Sequence, residues 1–208
     1  MKLLFRFMQA IPSLNRTLEK GPRAKGMIRY SWKEGLPFLG KAHGGICLPQ
    51  VFCAPLFKHP KDTGVSFTDD LIFARHKVGI FQLVVLLESL PDLKHARSAL
   101  RGLRKQPRFY VLPEETTFIL QDPQVNILEP NIGDDVFRLA TADEFASNEL
   151  LCRGRPVPQY YDMYQMKKDL HGMRFVIVRP DLFVYAACDT SAQLESICEN
   201  IPKILGIM

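Results

Sequence analysis

Residues 80–87 read IFQLVVLL, a nearly unbroken apolar run rich in β-branched and aromatic side chains. Such a run predicts a strand covered on both faces and therefore central in its sheet. Pro91 follows where a first-turn proline is tolerated. Leu93, Ala96, Leu100 and Leu103 then fall on one stripe, while Lys94, Arg97, Arg101, Arg104 and Lys105 point elsewhere, which predicts an amphipathic helix. Residues 109–112 and 117–120 are the next strands, the first of them closing a β-α-β unit.

Downstream, Thr141 and Glu144 have capping-box spacing and predict a helix to about Leu151. Residues 160–170 predict another, ended by Gly172. Residues 175–178 and 182–186 flank Arg179, Pro180 and Asp181, which reads as an antiparallel hairpin. Thr190 and Gln193 form a second capping box, opening a helix with Leu194, Ile197 and Ile201 on its buried stripe before Pro202 bends it. At the start, Leu3, Leu4, Phe7, Met8 and Ile11 recur at helical spacing up to Pro12. Gly35, Gly40, Gly44, Gly45, Pro49, Pro55 and Pro60 mark the stretch between as a wrapped loop. The resulting order is strand, helix, strand, long insertion, hairpin, helix. This is the element order of an α/β, thioredoxin-like fold with an N-terminal helical extension.

The chain has 208 residues, 47% hydrophobic and 24% charged, enough for one substantial core with an appendage rather than two enzyme domains. Its net charge of +5 favours small anions only slightly, and no nucleic-acid partner is expected. Five cysteines, Cys47, Cys53, Cys152, Cys188 and Cys198, are an odd set without the density of a secreted scaffold. Reduced thiols are the expectation. Arg6 interrupts the N-terminal apolar stretch and no small-residue cleavage site follows, so it reads as a helix of the mature chain. No apolar run approaches the roughly 20 residues of a membrane span. A cytoplasmic protein without membrane contact is expected.

Residues 45–50 (GICLPQ), Asp69 and Asp70 ahead of Gly79, Ile80 and Phe81, and residues 174–185 (RFVIVRPDLFVY) together carry a resemblance. In order and spacing they resemble the C-terminal thioredoxin-like, or dimerisation, domain of the phenol-hydroxylase-type FAD-dependent aromatic monooxygenases, including those of fungal-type aromatic and polyketide metabolism. The resemblance covers roughly 44–205. It implies a boundary near position 43, with 1–43 (Met27 to Trp32 included) resembling the end of a monooxygenase substrate domain and 44–208 forming the thioredoxin-like domain.

What the resemblance implies for hydroxylation is not met by the residues. A flavin pyrophosphate needs a G-x-G-x-x-G turn at a helix N-terminus, where backbone N–H groups approach the phosphates; this string does not occur. The only Gly-Asp, at Gly133 and Asp134, reads as a turn. No cofactor is expected, and a self-sufficient flavin hydroxylase is not expected. Thioredoxin redox chemistry fails similarly, because a low-pKa thiolate belongs at the start of the helix after the central strand, where this chain has Glu88, Ser89, Leu90 and Pro91.

Candidate chemistry is sparse. His43, Cys47, Cys53 and His59 share one stretch, but their spacing fits no structural zinc pattern, so a buried cysteine pair and two loop histidines are expected. The basic positions Lys94, His95, Arg97, Arg101, Arg104, Lys105 and Arg108 read as a solvated helix face. Tyr160, Tyr161, Tyr164 and His171 lie near a proline-rich loop (Arg155, Pro156, Val157, Pro158) and read as rim packing. Arg179 and Asp181 read as structural. For acid–base chemistry the candidates are His76 as general base, Asp70 as its orienting carboxylate and Tyr160 as proton donor.

Two functions follow as expectations. The first is a cofactor-independent cyclase, dehydratase or isomerase acting on a small aromatic or polyketide-like molecule. The second is a non-catalytic module, a homodimer or an accessory subunit of a full-length FAD monooxygenase. A degenerate remnant of a longer monooxygenase is the third reading.

Overall fold

A computed structural model describes residues 37–56, 64–103, 110–125, 132–148 and 161–204, with side chains to Ile201. The N-terminal helix, Met27 to Trp32, His59, Arg104, Lys105, Arg108, Cys152, the proline-rich loop and Tyr160 lie outside the described residues.

The chain is mixed α/β. Its strands are β1 (Phe52–Pro55), β2 (Ser66–Phe67), β3 (Gln82–Leu87), β4 (Thr117–Leu120), β5 (Val136–Leu139), β6 (Phe175–Val178) and β7 (Val184–Cys188). The helices are α1 (Thr68–Ile72), α2 (Asp92–Leu103), α3 (Ala142–Ala146), α4 (Gln165–Asp169) and α5 (Ser191–Ile204). One seven-stranded sheet runs β2-β1-β5-β4-β3-β6-β7. The pairs β3–β4 and β4–β5 are parallel, and the others antiparallel.

All six residues of β3 are buried, because both faces of the sheet are covered there. Leu83, Val85 and Leu87 pack with Leu93, Ala96 and Leu100 of α2 and Leu194 and Ile201 of α5. Val84 and Leu86 face the other way, toward Ile72 of α1 and Met166 of α4. The expectation of an interior strand is met. A third cluster covers β1, where Phe52 stacks between Phe145 and Tyr161 at ring separations of 3.8 and 4.2 Å.

Three expectations need correction. Residues 110–112 form no strand: Val111 makes a single parallel bridge to Phe81. Pro113 then opens a 3-10 turn, Pro113–Glu115, so the ladder beside β3 restarts at Thr117 opposite Val84. The β-α-β unit thus closes on β4. Within the expected loop, residues 52–55 are a strand, paired to both β2 and β5. The helix after Thr141 has its capping box but stops at Ala146, where Asn148 leaves to bond the Val65 carbonyl at 3.2 Å.

The hairpin forms, and its second strand begins later than expected. Leu182 takes a positive φ of 65° in the turn, and regular pairing starts at Val184. Residues 37–48 run alongside β7. Leu39 N–H donates to Tyr185 O at 2.8 Å, Gly45 N–H to Val184 O at 2.9 Å, and Leu48 N–H to Leu182 O at 2.8 Å. Gly44 passes so close that a Cβ there would collide with the Tyr185 carbonyl oxygen. Gly45, at φ 89°, occupies a conformation that favours glycine.

Candidate functional site

The carboxylates expected near His76 are the first-turn residues of α1. Asp69 is engaged: its Oδ1 accepts from Gln50 Nε2 at 2.6 Å. Asp70 and His76 are both exposed, and among the described residues no hydrogen bond or ion pair joins them. Tyr160 lies outside the described residues, so the structure assembles no triad from these three. Tyr161, its neighbour, bridges the sheet instead. Its hydroxyl accepts from Phe52 N–H at 2.9 Å and donates to Ala140 O at 3.1 Å. Burial pushes its pKa up to about 12, so it stays a neutral phenol throughout the physiological range.

The described thiols are equally passive. Cys47, Cys53, Cys188 and Cys198 are free, and burial raises all four pKa values, those of Cys53, Cys188 and Cys198 to about 12. At the start of α2 the polar groups are Ser89 and Asp92, with Ser89 Oγ donating to Asp92 Oδ2 at 2.8 Å. His43 does not gather the cysteines. It faces His171, with ring centroids 5.3 Å apart, and no group of three or more potential metal ligands occurs among the described residues.

Two constellations that the linear sequence did not display appear on opposite faces of the sheet. On the α2 face, Arg97 donates to Asp135 Oδ1 at 2.9 Å and to Ile132 O at 2.6 Å while lying over the Phe118 ring. Arg97, Phe118 and Asp135, with Leu100, Arg101, Pro113 and Glu114, line a cavity of about 240 Å³. Arg97 and Arg101 belong to the basic stripe expected to be solvated, so part of that stripe borders a concavity. Its size suits a ligand smaller than a drug-like molecule.

On the α1 face, the segment entering β3 folds onto the 3-10 turn before β4. Glu115 holds it there, with Oε1 accepting from Val78 N–H at 2.7 Å and Oε2 from Gly79 N–H and Gln82 Nε2, both at 2.9 Å. Lys77, half-buried, donates from Nζ to Thr117 Oγ1 at 2.5 Å. Desolvation lowers its pKa to about 8, against the opposing pull of Glu115 and Asp135. These residues are 33 to 40 positions apart in the chain, and lone Lys, Glu, Gln and Thr residues carry no motif.

Two buried arginines have structural partners. Arg138 makes a two-pronged pair with Glu144 at 2.9 and 2.5 Å. Arg179, only 2% exposed, pairs with Asp181 at 3.0 and 2.5 Å and reaches the Pro37 carbonyl at 3.4 Å. No family model and no curated protein matches the chain.

Proposed function

We propose that the chain is a redox-silent, thioredoxin-like domain of the kind that ends FAD-dependent aromatic monooxygenases, working without flavin as a dimerisation or accessory module in the cytoplasm. The observation that carries this reading is the meeting of two of the three stretches on which the resemblance rests. Residues 45–48 hydrogen-bond along the turn and first residues of β7, and Arg179 and Asp181 anchor the hairpin beneath them. The sheet portion β4-β3-β6-β7, with α2 between the parallel pair and α5 after the hairpin, follows a β-α-β then β-β-α order, which supports the thioredoxin-like reading. The start of α2 holds no thiol, and the described cysteines are protonated at neutral pH, which favours binding over redox work. Val78 and Ile80, in the segment before β3, are 79% and 50% exposed, apolar area suited to a partner.

Sedimentation velocity tests this. A dimer, or a complex with a full-length FAD monooxygenase, is expected; and Val78→Asp with Ile80→Asp should dissociate it at unchanged melting temperature. A monomer in both settings rejects the proposal.

The cavity bordered by Arg97, Arg101, Glu114 and Phe118 favours a second reading, a cofactor-independent cyclase, dehydratase or isomerase for an aromatic or polyketide-like intermediate of fungal-type secondary metabolism. In that reading His76 as general base, with Asp70 and Tyr160, is the assignment the sequence offers; His76 and Asp70 are not among the described residues that line this cavity, so the cavity supports a bound ligand and the assignment stands on its own test. Replacing His76 by Ala should lower turnover about 10² to 10⁴-fold. Unchanged turnover removes His76 from the reaction.

A further inference from the structure

Lys77 is placed unlike an ordinary surface lysine. Its amine donates to one neutral acceptor, Thr117 Oγ1, and it takes part in no ion pair among the described residues. The two carboxylates that act on it are both committed elsewhere. Glu115 already accepts three N–H groups, from Val78, Gly79 and Gln82, and Asp135 is bound by Arg97. An ammonium there is half-desolvated without a dedicated counter-ion, which favours the neutral, nucleophilic amine. Thr117 and Gln82 lie on the same face of the sheet, since side chains alternate along a strand and Val84 pairs with Thr117. Gln82 is buried, its amide nitrogen is bound to Glu115 and Gly79 O, and among the described residues its Oε1 has no hydrogen-bond donor.

We propose that Lys77 is a covalent capture site for small aldehydes or ketones, its amine forming an imine beside Thr117 and Gln82. The nitrogen lone pair adds to the carbonyl carbon and forms the C–N bond, while the carbonyl π pair moves to oxygen and takes up the proton that nitrogen releases. The resulting carbinolamine has a hydroxyl beside Thr117 Oγ1, the acceptor within hydrogen-bond reach of the amine. Loss of that hydroxyl with the remaining N–H proton, as water, leaves the C=N bond. No oxidant or reductant enters, and hydrolysis reverses the step. The inference stands apart from the interaction-module reading, because it requires neither a dimer nor a monooxygenase.

Reductive trapping tests it. The whole folded chain is treated with propanal and sodium cyanoborohydride, whose hydride converts the imine to a stable secondary amine, and each lysine is followed by peptide mass spectrometry between pH 6.5 and 9.5. At pH 7, Lys77 should be labelled about tenfold faster than the exposed Lys41 and Lys94, its larger neutral fraction outweighing its lower basicity. Its rate should reach half of its plateau near pH 8. In 8 M urea the preference should vanish. Lys77→Arg, with an unchanged circular dichroism spectrum, should lose the first equivalent of label. Labelling of Lys77 no faster than Lys41 and Lys94, a preference that survives urea, or a first equivalent that persists in Lys77→Arg, each overturns the proposal.

Discussion

Glu144 does two jobs at once, and its removal separates them. Its carboxylate closes the capping box of α3, accepting from Thr141 N–H at 3.0 Å while Thr141 Oγ1 accepts from Glu144 N–H at 3.1 Å. The same carboxylate is the counter-ion of Arg138, whose side chain is 7% exposed. Losing the cap alone costs about 1 kcal/mol, whereas leaving a buried guanidinium unpaired costs about 3 to 5 kcal/mol. Urea unfolding should therefore place Thr141→Ala close to the wild type and Glu144→Ala far below it. Equal losses would mean that Arg138 is repaired by solvent or by another acceptor. Tyr161→Phe offers a comparison without charge. It removes the hydroxyl shared by Phe52 N–H and Ala140 O but keeps the ring against Phe52, so a loss of about 1 to 3 kcal/mol is expected from the unpaired backbone groups.

At the scale of elements, the sequence was most readable where local chemistry decides the outcome. Both capping boxes form, the second with Gln193 N–H on Thr190 Oγ1 at 3.3 Å and Thr190 N–H on Gln193 Oε1 at 3.2 Å. The interior strand, the helix α2 and the hairpin were equally plain from periodicity. Strands β1 and β5 were not, because each has four residues and lies beside turn-forming residues that dominate a local window; pairing across more than 80 positions makes them strands. The run at 109–112 misled for the opposite reason, being apolar enough for a strand but cut off by Pro113. His76 and Asp70 suggested a site because they are close in sequence, while Lys77, Gln82, Glu115 and Thr117 meet only through the β3–β4 pairing. The contact of residues 37–48 with β7 is also long-range, and Gly44 tests it. Gly44→Ala forces a methyl group onto the Tyr185 carbonyl and should cost about 1 to 3 kcal/mol through local displacement. Hydrogen exchange should show the loss concentrated at Leu39 N–H and Gly45 N–H, which donate to β7. Protection unchanged at both would show that the segment does not depend on the close approach.

For the whole molecule, the buried titratable groups set opposing trends at alkaline pH. The thiols of Cys53, Cys188 and Cys198 have their ordinary value of 9.0 raised to about 12 by burial. Between those limits the unfolded chain has lost protons that the folded chain keeps, so folding stability falls as pH rises through the window. Tyr161 and Tyr185, raised from 10.0 to about 12, act in the same direction from pH 10 upward. Lys77 acts in the other direction. Its value falls from 10.5 to about 8, so between these limits the folded chain binds fewer protons than the unfolded one, and this amine adds stability as pH rises. From pH 8 to 9 Lys77 acts alone among these groups; above pH 9 three thiols oppose one amine. The urea midpoint of the reduced protein should therefore rise slightly from pH 8 to 9 and fall steadily from about pH 9.5 to 11. Lys77→Met should abolish the rise and leave the fall in place, because the thiols remain buried. A midpoint that climbs through pH 10 would show that the thiols ionise in the folded chain, and that the packing around β7 and α5 admits water where the structure places a closed core.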